Sequence, residues 1–209
     1  QVESTAPRKA GASPSPSSLR LLPTRCWRSL PRFPIRNRLE LLNLHGPFPE
    51  VPRDVDAWLD DQLEALCHDA TSLKDVRTGK PRLEPLLSWP CRQVLSRETP
   101  NRWEAPSGSQ LRILYPAEGT PHVEVKMQEV FGLGSTPTLL GGRMPLVLHL
   151  LNPAGRPVQV TSDLGSFWNN TWPEVRKEMR SRYPKHRWPE DPMNAAPSRR
   201  TTRGRGGQG

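Results

Sequence analysis

The residues best equipped for chemistry lie between Arg156 and Pro192, in RPVQVTSDLGSFWNNTWPEVRKEMRSRYPKHRWPEDP. Three of the seven tryptophans and one of the two tyrosines fall there, and from Arg156 to Arg187 seven Lys and Arg stand against three acids. Cations neutralise phosphates while aromatic faces stack bases, so this mixture suits a single nucleic-acid strand. The candidate contacts are Trp168, Arg176, Lys177, Arg180, Arg182, Tyr183, Lys185, His186, Arg187 and Trp188. A plainer reading stands beside this one: the aromatic stripe is core and the cations are a solvated face.

Local grammar suggests how these residues are held. Pro157 to Val160 reads as a strand. Thr161, Ser162 and Asp163 offer capping oxygens to a brief helix over Leu164 to Trp168. Thr171 and Glu174 have capping-box spacing, with Pro173 in the first turn, so a second capped helix is expected to run up to Pro184. On it Trp172, Val175, Met179 and Tyr183 recur at steps of three and four, which puts them on one inward-facing stripe.

Other chemistry fails on spacing. Neither Gly134 nor Gly142 is followed by the Gly-Lys-Ser/Thr of a phosphate loop, and Pro137 stands where a dinucleotide fingerprint needs glycine. No HExxH or GxSxG occurs, and no Ser, Cys or His stands beside an evident activating partner. Cys26, Cys67 and Cys91 form no CxxC pair, which argues against a zinc site or disulfide framework and fits a reducing cytoplasm. Asp60, Asp61 and Glu64 imitate a metal cluster but read as a solvated helix face. By its own residues the chain is expected to be no enzyme and to hold no cofactor or metal.

The formal charge of +9 divides unevenly. Residues 1–38 carry eight Lys and Arg and one acid, and 193–209 carry four Arg and no acid. Residues 39–192 hold 18 basic and 20 acidic side chains, a net of −2. Basicity therefore lies in the ends and one local patch. No apolar run approaches the roughly 18 residues that span a bilayer, and residues 1–38 lack the apolar core of a secretory signal. A first residue of Gln rather than Met fits a fragment.

From the N-terminus, 1–38 is Pro-, Ser- and Arg-rich without period and is expected to be disordered, as a basic arm or an unrelated leader. Residues 39–104 read as helical. Leu39, Leu41, Leu42 and Leu44 end a short helix or turn before Pro47, Asp54 caps a helix running from Val55 through Leu63 to Cys67, and Leu83 to Trp89 suggest a short buried helix before Pro90. After the Ala105–Ser109 turn the text alternates like strands at Leu111–Tyr115 and Val123–Gln128. Met144 to Leu151 reads as a central strand buried on both faces, with His149 a hydrogen-bonded core residue. Asn152–Gly155 turns it into a hairpin with Arg156–Thr161. The fold class is α+β: a helical N-terminal segment, then over 105–192 a small antiparallel β unit, its closure into a barrel left open, with two capped helices. Residues 193–209 form a disordered Arg/Gly-rich tail.

Three stretches carry a resemblance: APSGSQLRILY (105–115), VKMQEVFGLGSTPTLLGGRMPLVLHLLNPAGRPVQVTSDLGSFW (125–168) and PEVRKEMRSRYPKHRWPEDP (173–192). Together they resemble the C-terminal region of the HrpB family of bacterial DEAH-box ATP-dependent RNA helicases, closely over 105–192 and more loosely over 36–104. Residues 1–35 do not resemble the helical bundle that precedes this region, and Pro90 stands where the family continues a helix. The resemblance implies an accessory module whose partners are single-stranded RNA and the motor and helical-bundle domains. ATP and Mg²⁺ would bind the family's motor domains, none of whose motifs occurs here. The rival expectation is a structural brace: aromatics packed on other domains and cations paired with acidic protein surface. A third is a truncated remnant.

Overall fold

A computed structural model describes residues 34–62 and 83–199. The described residues belong to two compact units, 52–62 with 83–88 in one and 34–51 with 89–199 in the other. The expected disorder of 1–33 and 200–209, and the helix beyond Gln62, fall outside the described residues.

In the smaller unit Asp54 is extended (φ −99°, ψ 96°), and its Oδ1 accepts a 2.9 Å hydrogen bond from Ala57 N, as its spacing predicts. The helix it caps, Val55–Asp61, buries Val55 and Leu59. Where a short helix over Leu83–Trp89 is expected there is one 3-10 turn, Glu84–Leu86, with Leu83 and Leu87 buried. Leu87 turns extended (ψ 146°) and ends it.

The larger unit begins with α1, Pro34–His45, which starts inside the stretch expected to be disordered. Ile35, Arg38, Leu39 and Leu42 share its buried face, and Pro34 opens it without losing a helical donor bond. Composition counts Arg38 as a solvated charge, yet it is buried. Its Nε and Nη2 donate to the Thr99 and Leu95 carbonyls (2.7 and 3.1 Å), its Nη1 to Asn101 Oδ1 (2.7 Å), and the guanidinium lies 5.8 Å from the Tyr115 ring centre. Those carbonyls lie at and just past the end of a helix that the sequence pattern does not announce, Trp89–Glu98 (α2), so Arg38 adds a cation at the favourable pole, where the Leu95 carbonyl also accepts from the Thr99 backbone and hydroxyl. Pro90 begins this helix in its first turn rather than interrupting one.

Five strands follow: β1 Arg102–Glu104, β2 Gln110–Leu114, β3 His122–Lys126, β6 Val147–Leu151 and β7 Pro157–Thr161, in the order β1-β2-β3-β6-β7. All neighbours are antiparallel except β3 and β6, which run parallel from His122↔Val147 to Lys126↔Leu151. The all-antiparallel expectation is thus corrected. Residues 127–146 supply the long crossover that a parallel pair requires. Within that crossover lies the short ladder β4 (Thr138–Leu139) with β5 (Met144–Pro145). The sheet ends at β1 and β7 and stays open, so no barrel closes.

Met144 to Leu151 is therefore two strands, not one. In β6 Leu148 and Leu150 are buried while Val147, His149 and Leu151 are half-buried, so the strand covers one face only. His149 sits on the open face, not in the core. The β6–β7 hairpin forms as expected: Asn152 Oδ1 accepts from Ala154 N and Arg156 N (2.9 and 3.0 Å), and Gly155 takes φ 80°.

Candidate nucleic-acid interface

Past β7 the chain enters the aromatic segment. Asp163 Oδ1 accepts from Ser166 N (2.9 Å) and starts α3, Leu164–Ser166, as expected. Two separate capped helices do not follow. The chain passes through a π-helical stretch, Phe167–Thr171, directly into α4, Trp172–Arg182. Thr171 is itself helical (φ −99°, ψ −29°), not extended as a capping residue is, and its side chain caps nothing: the helix runs through it, with Trp172 N donating to Phe167 O across the wide turn. The capping box with Glu174 is absent for that reason.

That turn gathers the large rings. Phe167 and Trp168 lie 4.8 Å apart, Trp168 and Trp172 5.3 Å apart and nearly perpendicular, and Phe131 meets Trp172 edge-on at 5.6 Å. Edge-to-face packing of this kind adds to the hydrophobic gain of burial. Beyond the helix end at Tyr183 the chain folds back and closes the cluster, with Trp188 6.2 Å from Trp172. Each indole N–H finds a carbonyl: Trp168 to Leu133 (2.8 Å), Trp172 to Pro189 (3.1 Å) and Trp188 to Tyr183 (2.9 Å).

This arrangement divides the ten candidate residues. Trp168 and Trp188 are 3% and 6% exposed, so their faces pack inside the unit and are not open to a base. Arg176 is committed internally as well. Its Nε donates to Trp188 O (3.0 Å) and its Nη2 pairs with Glu190 (2.9 Å), tying α4 to the returning segment. Arg182 pairs with Glu178 one turn back (3.1 Å). Lys185 is exposed but engaged. Lys177, Arg180 and Arg187 are exposed and make no hydrogen bond or ion pair. Tyr183 and His186 are half-buried beside them, their rings 6.3 Å apart and edge-on.

Burial, then the charge of Lys126, holds the His186 imidazole below the ordinary histidine pKa. Lys126, at the end of β3, therefore belongs to the same cationic surface, and sequence reasoning missed it. Strand alternation places Lys126 on the exposed face, but no local signal says that β3 ends beside residue 186. The expected disordered tail is also shortened: Asp191 Oδ1 accepts from Met193 N and Asn194 N, Ala195 is buried, and Ser198 N donates to Gln128 O (2.8 Å). Among the described residues no group of three His, Cys, Asp or Glu side chains could hold a metal, and no helix is long and apolar enough to cross a membrane.

Comparison with known proteins decides the family. Residues 58–192 match the family model described as ATP-dependent helicase C-terminal, HrpB type. The chain belongs to this family. It is 44% identical over 147 residues to the ATP-dependent RNA helicase HrpB of Escherichia coli K12, which covers 70% of this chain but 18% of the relative. The crystal structure of the E. coli DExH-box NTPase HrpB superposes with a TM-score of 0.70 at 37% identity, covering 91% of this chain and 25% of that one. A crystal structure titled E. coli DEAH/RHA helicase HrpB gives 0.58 at 34% identity, covering 85% and 24%. The chain thus corresponds to the C-terminal portion of an ATP-dependent helicase.

Proposed function

We propose that this HrpB-type C-terminal domain is an accessory to an ATP-dependent RNA helicase and grips single-stranded RNA beside the motor. The ATP and Mg²⁺ sites belong to the motor domains, which would act with it in cis or in trans. The grip is made by Lys177, Arg180 and Arg187 on phosphates, with Lys185 beside them and the edges of Tyr183 and His186 between. Trp168, Trp172, Trp188 and Arg176 act indirectly, by holding α4 and the 183–190 turn in place.

One observation carries this reading: between Arg176 and Arg187, where Arg176 and Arg182 are bound to acids or a carbonyl and Lys185 is engaged, three exposed cations have no partner in the domain. Charges kept apart from available carboxylates suit an external polyanion. The test is fluorescence anisotropy of a labelled single-stranded RNA with the whole chain across a salt series. Each single-strand phosphate contact adds about −0.7 to the log–log slope. Replacing Lys177, Arg180 and Arg187 together by Ala should therefore flatten the slope by about 2 while the urea midpoint holds. The tails are common to both proteins, so their contribution cancels. An unchanged slope would remove the grip and favour a structural brace.

A further inference from the structure

The open face of the sheet is unusual in its charge pairing. Strand alternation puts Arg102 of β1, Arg112 and Leu114 of β2, His122, Glu124 and Lys126 of β3, His149 of β6 and Val160 of β7 on the side away from the buried Ile113, Val123, Val125, Leu148 and Leu150. Arg102 stands directly opposite Arg112. Like charges facing each other across a ladder are unfavourable, and no acid bridges this pair. Arg102 Nη1 donates to the Gln110 carbonyl (3.0 Å), while Glu104 is taken by Gln110 Nε2 (2.8 Å) rather than by either arginine. Arg112 and Lys126 make no ion pair.

Between these cations the rings of His122 and His149 stack, 4.2 Å between centres and 11° from parallel. His122 Nδ1 lies 3.3 Å from the Thr120 carbonyl, so its N–H points there and Nε2 is left as an acceptor. Glu124 is in register with His149, and Val160 beyond it is 55% exposed. Lys126 then joins this face to the cationic turn, close enough to His186 for its charge to be felt.

We infer that the open face of β1, β2, β3 and β6 is a second contact surface for the same single strand, which runs from the Lys185–Arg187 turn past Lys126 and over the His122–His149 pair to Arg102 and Arg112. The inference rests on the strand-binding reading above. The phosphodiester backbone is the occupant because an anion relieves the Arg102–Arg112 opposition, and the flat imidazole pair with exposed Leu114 and Val160 receives bases. An acidic protein surface answers the charges but not the stacked imidazoles.

The test uses the whole chain, an RNA of about 12 nucleotides, long enough to leave the turn, and one of about 4. Arg102→Glu is the informative change, since it replaces a like-charge pair by an opposite-charge one. Stability should hold or rise while binding weakens. On the longer RNA the salt slope should flatten by about 1.4, two contacts' worth, and on the shorter it should not change. Arg112→Gln serves as a second variant, with about half that effect. If both variants bind the longer RNA with the original slope while the Lys177, Arg180 and Arg187 replacement loses slope, the strand stops at the turn and this inference is overturned. If none of the replacements changes the slope, the strand-binding reading falls with it.

Discussion

Arg176 offers the sharpest separation between a residue that holds the domain together and one that faces a ligand. In Arg176→Ala the Trp188 carbonyl loses a charged donor at 3.0 Å, and Glu190 loses its partner. A hydrogen bond from a charged group contributes about 1.5–3 kcal/mol. Glu190 is 83% exposed on its side chain, so the ion pair adds at most about 1 kcal/mol and is screened by salt. Because the guanidinium keeps about a fifth of its own surface open, the lower half of the first range applies. The expected loss is about 2 kcal/mol. With a urea m value of about 2 kcal/mol/M, the midpoint followed by tryptophan fluorescence should drop by about 1 M. Lys177→Ala, one residue along, removes no contact and should stay within about 0.5 kcal/mol of the unaltered chain. Arg176→Lys should recover only part of the loss, since a single ammonium cannot reproduce the fork across carbonyl and carboxylate. Equal midpoints for Arg176→Ala and Lys177→Ala would refute the assignment of Arg176 to the interior, and a lower midpoint for the lysine variant would reverse it.

Two further outcomes follow from the backbone and the protons. Gly142 holds φ +94° with open space where a Cβ would sit, so Gly142→Ala should cost about 1 kcal/mol from conformation alone; a neutral or stabilising result in urea denaturation would show that the Leu140–Gly142 turn relaxes freely. Burial and then the neighbouring His122 lower the proton affinity of His149. The unfolded chain therefore binds more protons just below the ordinary histidine pKa, and stability should fall as pH drops from about 7 towards 5. His149→Gln should flatten that decline in the urea midpoint, though not abolish it, because His186 is shifted the same way. An identical pH profile would place His149 outside the coupling.

What the sequence made legible was mostly local. Asp54 and Asp163 announce their helices because a carboxylate directly before the first apolar helical residue can reach the N–H three residues on, and both form the expected bonds. Asn152-Pro153-Ala154-Gly155 specifies its hairpin for similar reasons. The failures share a different cause. Arg38 looks like solvent-facing charge until Leu95, Thr99 and Tyr115 are brought around it from 57 or more residues away. The apolar run at Met144–Leu151 looks like a doubly buried strand, because composition does not reveal that Pro145 closes one ladder while Val147 opens another. The parallel pairing of β3 with β6 is likewise a tertiary choice, since both strands would suit a meander.

The candidate site shows the same division at finer grain, and there it bears on function. Across residues 172–188 helical spacing turns Trp172, Val175 and Met179 inward, but it does not say which of the interleaved cations face solvent and which are spent on packing. Burial separates them. Every indole in the segment spends its N–H on a carbonyl, which a ring reserved for stacking bases has no need to do. Arg176 lies on the side of α4 that meets the returning chain, four residues after Trp172 and so on the same face, and is drawn into the aromatic cluster's frame. Lys177 and Arg180 point elsewhere, and Arg187 stands beyond the helix end, where neither Glu178 nor Glu190 pairs with it. Glu174 is exposed on the same helix and pairs with none of them, so these cations stay open to a partner outside the domain, whether a phosphate backbone or the acidic protein surface of the brace reading. Leaving both signs unpaired on one surface costs little in water, and the salt slope on single-stranded RNA separates the two partners, because only phosphate contacts release condensed counterions.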